Sequence, residues 1–273
     1  MASPPPSAPS PNATPPASPA NPIPTDTPPA TPNPAPAPLL EHLATVPGMG
    51  GGQRRLVVLL PQLGDFDSLE YAQALLPALP RLQAAGIAVL AIGIGEEAGR
   101  QRFCAFTGFP SGRLQVEPEP RLHRALGLYG GLGQAGGPWP NLLLMCAGIG
   151  SPGTLAEVWR GYSGDRSAPQ LIADDATIQA GPLPALQGSL FARAGGSGFQ
   201  RPFELATIRL RNMAEVLGHW RTYVPRDDFL TQRGGTFLIA ADDTLLYRHH
   251  DRGILGFSAT MARPLSFLDP FLG

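Results

Sequence analysis

Two cysteines, Cys104 and Cys146, supply every thiol in the 273 residues. A thiolate is the side chain that attacks peroxides and disulfides, so both are candidate catalytic residues. They form no Cys-x-x-Cys pair and have no metal-ligand spacing. Cys104 lies between Phe103 and Phe106, and Cys146 follows Leu144 and Met145. A free cysteine in such company also serves as a small buried hydrophobe. The second chemical group is the run Gly64-Asp65-Phe66-Asp67-Ser68, with Glu70 close behind. Asp67 and Glu70 stand three apart, the spacing of a capping box, which places the acids at the start of a helix. A helix start stabilises negative charge by about 0.3–1 kcal/mol. Ser68 stays a neutral alcohol unless a base sits beside it, and no histidine is near it in sequence. Two readings stay open: a binding or structural site, and plain helix capping by Asp67 and Glu70.

Three further runs carry weaker signals. His249-His250-Asp251 offers metal-binding types, but neighbours on a strand point to opposite faces, so surface histidines at a hairpin end are expected. Gly148-Ile149-Gly150-Ser151-Pro152-Gly153 lacks the strand before and the acid after that a nucleotide fingerprint requires. Asp174-Asp175 reads as a solvated turn. No metal site and no cofactor motif emerges.

The elements that must position these residues follow from patterning. Residues 56–60 are a continuous apolar run and read as a buried strand. A helix over 66–84 follows, kinked or split at Pro77 and Pro80. Residues 87–94 form a second buried strand, and the pair with its helix is a βαβ unit with parallel neighbours. A helix over 96–106, a short edge strand over 114–118 and a helix over 121–126 come next. Helices are expected over 39–43, 141–147, 155–160 and, most strongly, 202–223. There Phe203, Leu205, Ile208, Leu210, Met213, Val216, Leu217 and Trp220 recur at helical spacing. Residues 163–197 read as loops. Residues 234–249 read as a β-hairpin, and 258–267 could supply part of a closing helix.

Composition bounds the rest. The chain has 33 prolines, sixteen of them between Pro4 and Pro38, and the segment 1–38 up to that point carries one charge, Asp26. That arm reads as disordered or polyproline-like. The remainder fits one domain, 39–273. Net charge is −1 with no lysine and no basic run, which argues against nucleic-acid binding. No apolar stretch reaches membrane-spanning length, and no secretory signal precedes the domain. Few cysteines point to a reducing, cytoplasmic-type compartment. A plastid address is the alternative, weakened by the absence of arginine from the arm.

Strand, turn and helix start is the layout of thioredoxin-fold proteins. Residues 61–71 resemble the active loop of the peroxiredoxin-like branch of the alkyl hydroperoxide reductase/thiol-specific antioxidant family. That family commonly writes a glycine and then Cys-x-x-Cys here, so Asp65 and Ser68 stand where the two cysteines would be. The block 114–129 and the closing hairpin are similar to the family in order and pattern. The resemblance implies an α/β fold: a thioredoxin-like central sheet with helices on both faces and a C-terminal β-hairpin. It covers 53–129 and 233–268, with 130–232 as a helical insertion packed over the sheet. It implies a thiol antioxidant or oxidoreductase, with a peroxide or a thiol/disulfide partner protein, of cyanobacterial or chloroplast type. It also implies that Arg233 binds peroxide and steadies the thiolate; read alone, Arg233 is a solvated arginine at a strand entrance. Gly234-Gly235 stands roughly where thioredoxins have a cis-proline, letting a substrate backbone approach closely or giving an unusual φ. On this resemblance the nucleophile of the family's peroxide step is missing from the loop. Residual chemistry then falls to Cys104 or Cys146. The alternative is a non-catalytic protein- or ligand-binding module.

Overall fold

Leu56, Val57, Val58, Leu59 and Leu60 are all buried, on both sides of the chain, in the computed structural model, which describes residues 33–181 and 183–272. A strand buried on both faces needs cover on both, and the remaining elements supply it. In chain order, helix α1 (Ala37–Ala44) leads to strand β1 (Arg54–Gln62) and helix α2 (Phe66–Leu75). A 3₁₀ turn at Leu76–Ala78 separates α2 from α3 (Leu79–Ala84), so the prolines split the expected helix. Strand β2 (Ile87–Ile94), α4 (Glu97–Thr107), β3 (Leu114–Glu117) and α5 (Arg121–Ala125) follow. Then come α6 (Pro138–Cys146), α7 (Thr154–Ser163), the small hairpin β4 (Thr177–Ile178) and β5 (Leu186–Gln187), and α8 (Gly188–Gly195). Helices α9 (Glu204–Gly218) and α10 (Trp220–Tyr223) precede β6 (Gly235–Ile239) and β7 (Leu245–His250).

The central sheet runs β3-β2-β1-β6-β7. β1 is parallel to β2 and β2 to β3; β6 runs antiparallel to β1, and β7 to β6. Alternation along β1 sends Leu56, Val58 and Leu60 into one core with α2, α3 and α4, and Val57 and Leu59 into another with α1 and α5. This is the expected thioredoxin-like sheet with helices on both faces. No helix among the described residues is long and apolar enough to cross a membrane.

Several expectations need correction. Of the arm, residues 1–32 lie outside the described residues, but 33–38 are docked. Leu245 N donates to Asn33 O at 2.8 Å and Ala35 N to Asp243 O at 2.9 Å, and Pro38 sits in the first turn of α1, where its missing N–H costs no helix bond. Residues 163–197 hold β4, β5 and α8 as well as loops, because Ile172, Ile178 and Phe191 form a small core of their own. The helix expected over 258–267 is mostly turns, with a 3₁₀ segment only at Ser266–Phe271. Ser258 Oγ donates to Pro264 O at 2.8 Å, closing a turn around that proline. Asp174-Asp175 is an exposed turn as expected, and Asp174 also pairs with Arg201, which is fully buried and held by Glu204 at 2.9 Å.

The region between α5 and β6 packs mainly on the helices and reaches the sheet at the end of β1, where Gln62 Nε2 donates to Arg226 O at 2.7 Å. α9 lies against α2, and α10 against α4, forming a third layer. Arg209 on α9 clamps Glu70 of α2 at 2.7 Å and Glu157 of α7 at 3.3 Å. Of the apolar series predicted for α9, Leu205 and Val216 are buried, but Phe203 and Leu217 are 57% and 62% exposed. Phe203 stands before the helix with a left-handed φ of 66°, so it does not follow the helical face.

Candidate functional site

The sheet topology delivers three chain ends to one place. β6 begins where β1 ends, with Leu59 opposite Gly235. β7 ends there too, with Gly235 opposite His250. The loop after β1 therefore meets the entrance of β6 and the exit of β7.

The loop is wound tightly around one carbonyl. Gln62 O accepts from Asp65 N at 2.9 Å and from Ser68 Oγ at 2.7 Å. Gly64 has no room for a side chain: an added Cβ would lie 2.6 Å from Val224 Cγ2 of the insertion. The N-cap of α2 is Asp65, whose Oδ1 accepts from Asp67 N at 3.0 Å. Asp67 and Glu70 thus do not form the expected capping box. Asp67 is fully buried and Glu70 is taken by Arg209, because the helix starts two residues earlier than that spacing implied.

Arg233 organises the site. It is fully buried, not a solvated arginine at a strand entrance. Its Nη2 lies 2.6 Å from Asp65 Oδ2 and its Nη1 3.5 Å from Asp67 Oδ2. Nη2 also donates to Leu230 O at 3.1 Å and Nε to Thr231 O at 3.2 Å. Asp251, which follows β7, completes the cluster. It is buried, its N donates to Gly234 O at 3.1 Å, and its Oδ1 lies 3.5 Å from His249 Nε2.

One guanidinium cannot neutralise three carboxylates, and the excess charge is removed by protons. Burial pushes the Asp251 carboxyl up to about 8, with Arg233 opposing and the Asp65 charge adding. Asp67 is held well above the ordinary carboxylate range, first by burial and then by the Asp65 charge, again against Arg233. The arrangement is an Arg233–Asp65 ion pair flanked by two acids whose hold on a proton burial strengthens. Nearby, Tyr71 of α2 hydrogen-bonds Thr236 at 2.8 Å and stacks on Phe257 with ring centroids 4.5 Å apart. Its phenol is also raised, mainly by burial.

Gly234-Gly235 supplies close approach, not an unusual φ; neither glycine has a positive φ. A Cβ on Gly234 would lie 2.1 Å from Leu59 O and 2.9 Å from Asp251 Oδ2. The backbone that comes close is β1 itself.

The structure brings Asp65, Asp67, Ser68 and Arg233 together and adds Cys146, but not Cys104. Cys146 closes α6, is exposed, and lines a cavity with Asp65 and Phe66. Burial around its sulfur raises the thiol, Asp65 pushes the same way and Arg233 opposes. Cys104 is half-buried on α4, raised by burial, with Arg100 opposing and Glu97 adding. Both cysteines are free. Among the described residues no group of three or more His, Cys, Asp or Glu could hold a metal ion. His249 and His250 do part to opposite sides: one meets Gly256 O at 3.0 Å, and the other's ring lies 5.8 Å from Phe237. Ser151 of the glycine-rich run accepts from Ile254 N at 2.7 Å and serves as a structural joint.

Sequence reasoning weighed Asp251 only within the His249-His250-Asp251 run and passed over Gln62. The hairpin register was the available signal for the first, since it sets the exit of β7 beside Gly234. For the second it was a polar residue closing an otherwise apolar strand.

Comparison with curated proteins and with solved structures finds no match. A family described as AhpC/TSA antioxidant enzyme matches residues 74–253, more than half of the chain. The match begins after the 64–68 loop and includes Cys104, Cys146, Arg233 and Asp251. Taken with the thioredoxin-like sheet, that extent places the chain in the AhpC/TSA antioxidant enzyme family, as a peroxiredoxin-like protein.

Proposed function

We propose that this protein is a peroxiredoxin-like member of its family in which a fixed ion pair occupies the place of the reactive thiol, so that it binds and does not turn over peroxide. The observation that supports the reading is the 2.6 Å contact between Asp65 and Arg233. Peroxide reduction needs a sulfur that can attack the O–O bond and become a sulfenic acid. A carboxylate cannot do this. Ser68 offers no substitute, because its hydroxyl is buried and donates to Gln62 O, with no base beside it. Cys146 and Cys104 both have raised thiols, which lowers the thiolate fraction at neutral pH.

A second reading is favoured by one observation, that exposed Cys146 lines the same cavity as Asp65. In it the Cys146 thiolate attacks the distal oxygen of a hydroperoxide. The O–O bond breaks, the alcohol leaves with a proton, one added thiol condenses with the sulfenic acid to a mixed disulfide and water, and a second thiol releases Cys146 and leaves as the disulfide. A thiol/disulfide partner protein belongs to this reading.

Peroxide consumption with dithiothreitol as reductant separates them. Wild type, Cys104→Ser and Cys146→Ser are expected to match the reductant alone. Asp65→Cys, which sets a thiol beside Arg233, is expected to gain peroxide reactivity. Saturable turnover by wild type that disappears in Cys146→Ser would overturn the first reading in favour of the second.

A further inference from the structure

Among the described residues, every large apolar side chain that is exposed lies between Trp139 and Leu217, in the region between α5 and β6. Helix α7 is the clearest case. Its apolar residues Leu155, Val158, Trp159 and Tyr162 stand at i, i+3, i+4 and i+7, the stripe that a surface helix normally turns toward the core. In α7 that stripe faces outward: the four are 59%, 38%, 72% and 52% exposed. The opposite face, with Thr154, Glu157, Arg160 and Gly161, is turned in and held there. Thr154 Oγ1 donates to Ile254 O at 2.8 Å. Glu157 pairs with Arg160 at 2.6 Å and with Arg209 at 3.3 Å, and buried Gly161 lies against Ala206 of α9. Phe203 extends the patch. Its ring is exposed and set edge-on to Tyr162, with centroids 6.0 Å apart. It stands there in the left-handed backbone region, which bulky residues avoid.

We propose that this face binds a second copy of the chain, α7 against α7 about a two-fold axis. The area fits. A buried aromatic side chain covers about 150–250 Å², so Trp159, Tyr162 and Phe203 at their exposures offer on the order of 400 Å², and Leu155 and Val158 raise this to on the order of 500 Å². Two such faces together bury about 1,000 Å², the size a specific interface needs. The charges fit as well. Glu157 and Arg160 are the only charged residues of α7, and both are spent inward. A symmetric contact therefore sets no like charges opposite each other along the stripe, and a net charge of −1 adds little repulsion between copies. A lipid surface is disfavoured, because helices that lie on one carry free basic residues beside the apolar face, and α7 has none. A two-fold contact also needs a self-complementary patch. This one offers both an outstanding side chain, Trp159, and a recess of about 380 Å³ lined by Val158, Tyr162 and Phe203. The assignment goes beyond the non-catalytic reading and does not depend on it, since it uses none of Asp65, Ser68 or Arg233.

Sedimentation velocity of the full chain across a micromolar concentration series tests this. Wild type is expected to pass from one copy to two as concentration rises. Trp159→Arg and Leu155→Arg set like charges against each other in the contact. Each should weaken association at least about thirtyfold, as loss of a hot-spot residue does. Both positions are exposed, so their urea midpoints should stay at the wild-type value. Ala84→Arg, at an exposed position on α3, should associate as wild type does. A wild type that stays a single copy throughout the series overturns the proposal, whether or not any variant folds. So does association that survives both stripe variants, which would put the interface elsewhere. Flotation of a single-copy wild type with vesicles of phosphatidylcholine and phosphatidylglycerol would overturn it in favour of a lipid surface.

Discussion

Arg233 carries a positive charge in the interior, and three carboxylates answer it unequally. Asp65 answers by direct contact; in Asp67 and Asp251 burial strengthens the hold on a proton instead. This has a signed consequence for stability. Asp251 titrates at about 8 in the folded chain, against about 3.9 for a free aspartate. Between those values the folded chain holds a proton that the unfolded chain has lost, so stability falls as pH rises. Asp67 acts in the same direction. Buried His123 acts in the opposite one, because burial lowers it to about 4 from about 6.5, so stability rises with pH over that interval. The carboxyl effect is therefore unopposed by His123 from about pH 6.5 to about pH 8. Urea midpoints measured across this window should fall with pH, and Asp251→Asn should flatten the slope. A slope unchanged in that variant would refute the assignment. Asp65 and Asp67 were legible in the sequence as acids at a helix start, and Arg233 only through the resemblance. Asp251 was not, because nothing local distinguishes a buried acid after a hairpin from an exposed one.

At the scale of elements, the turn after β1 and the entrance of β6 leave no space between them. Gly234 sits against the Leu59 carbonyl, a backbone group of the central strand that cannot swing aside as a side chain can. Gly234→Ala should therefore cost about 1–3 kcal/mol or more in urea unfolding, as overpacking does. Gly112→Ala, whose added carbon meets nothing within 4 Å, should stay within about 0.5 kcal/mol of wild type. Equal effects at the two positions would show that the close approach carries no energetic weight. The strands were legible from apolar runs and the break in the first long helix from its prolines, since both are local properties. The helical face of α9 was only half legible. Periodicity identifies a face, but which of its residues are covered depends on α2 and α7, which lie far away in sequence.

For the whole molecule, both faces of the sheet must be covered, and the cover comes from distant segments. The N-terminal side contributes α1, with Leu39 and Leu43 fully buried against Val57, Leu59 and Phe237. Leu39→Ala should cost about 2–5 kcal/mol, as large-to-small changes in a core do, while Leu143→Ala, 66% exposed, should change little. Urea unfolding of the two variants checks this, and a Leu39→Ala chain as stable as wild type would mean that α1 is not part of the folded unit. The opposite face acquires a third layer from α9 and α10, which together with α6 walls the cavity at the end of β1.

Read alone, the order of residues determined the sheet, because buried strands, breakers and hairpin turns are written in neighbouring side chains. It also wrote a carboxylate and a hydroxyl, Asp65 and Ser68, into the loop after β1. Tertiary structure alone decided that Arg233 and Asp251 are buried against that loop, that Cys146 joins it while Cys104 does not, and that α7 turns its apolar stripe outward. The reason is physical: burial and charge pairing depend on which distant segments close over a group, and no local pattern encodes that.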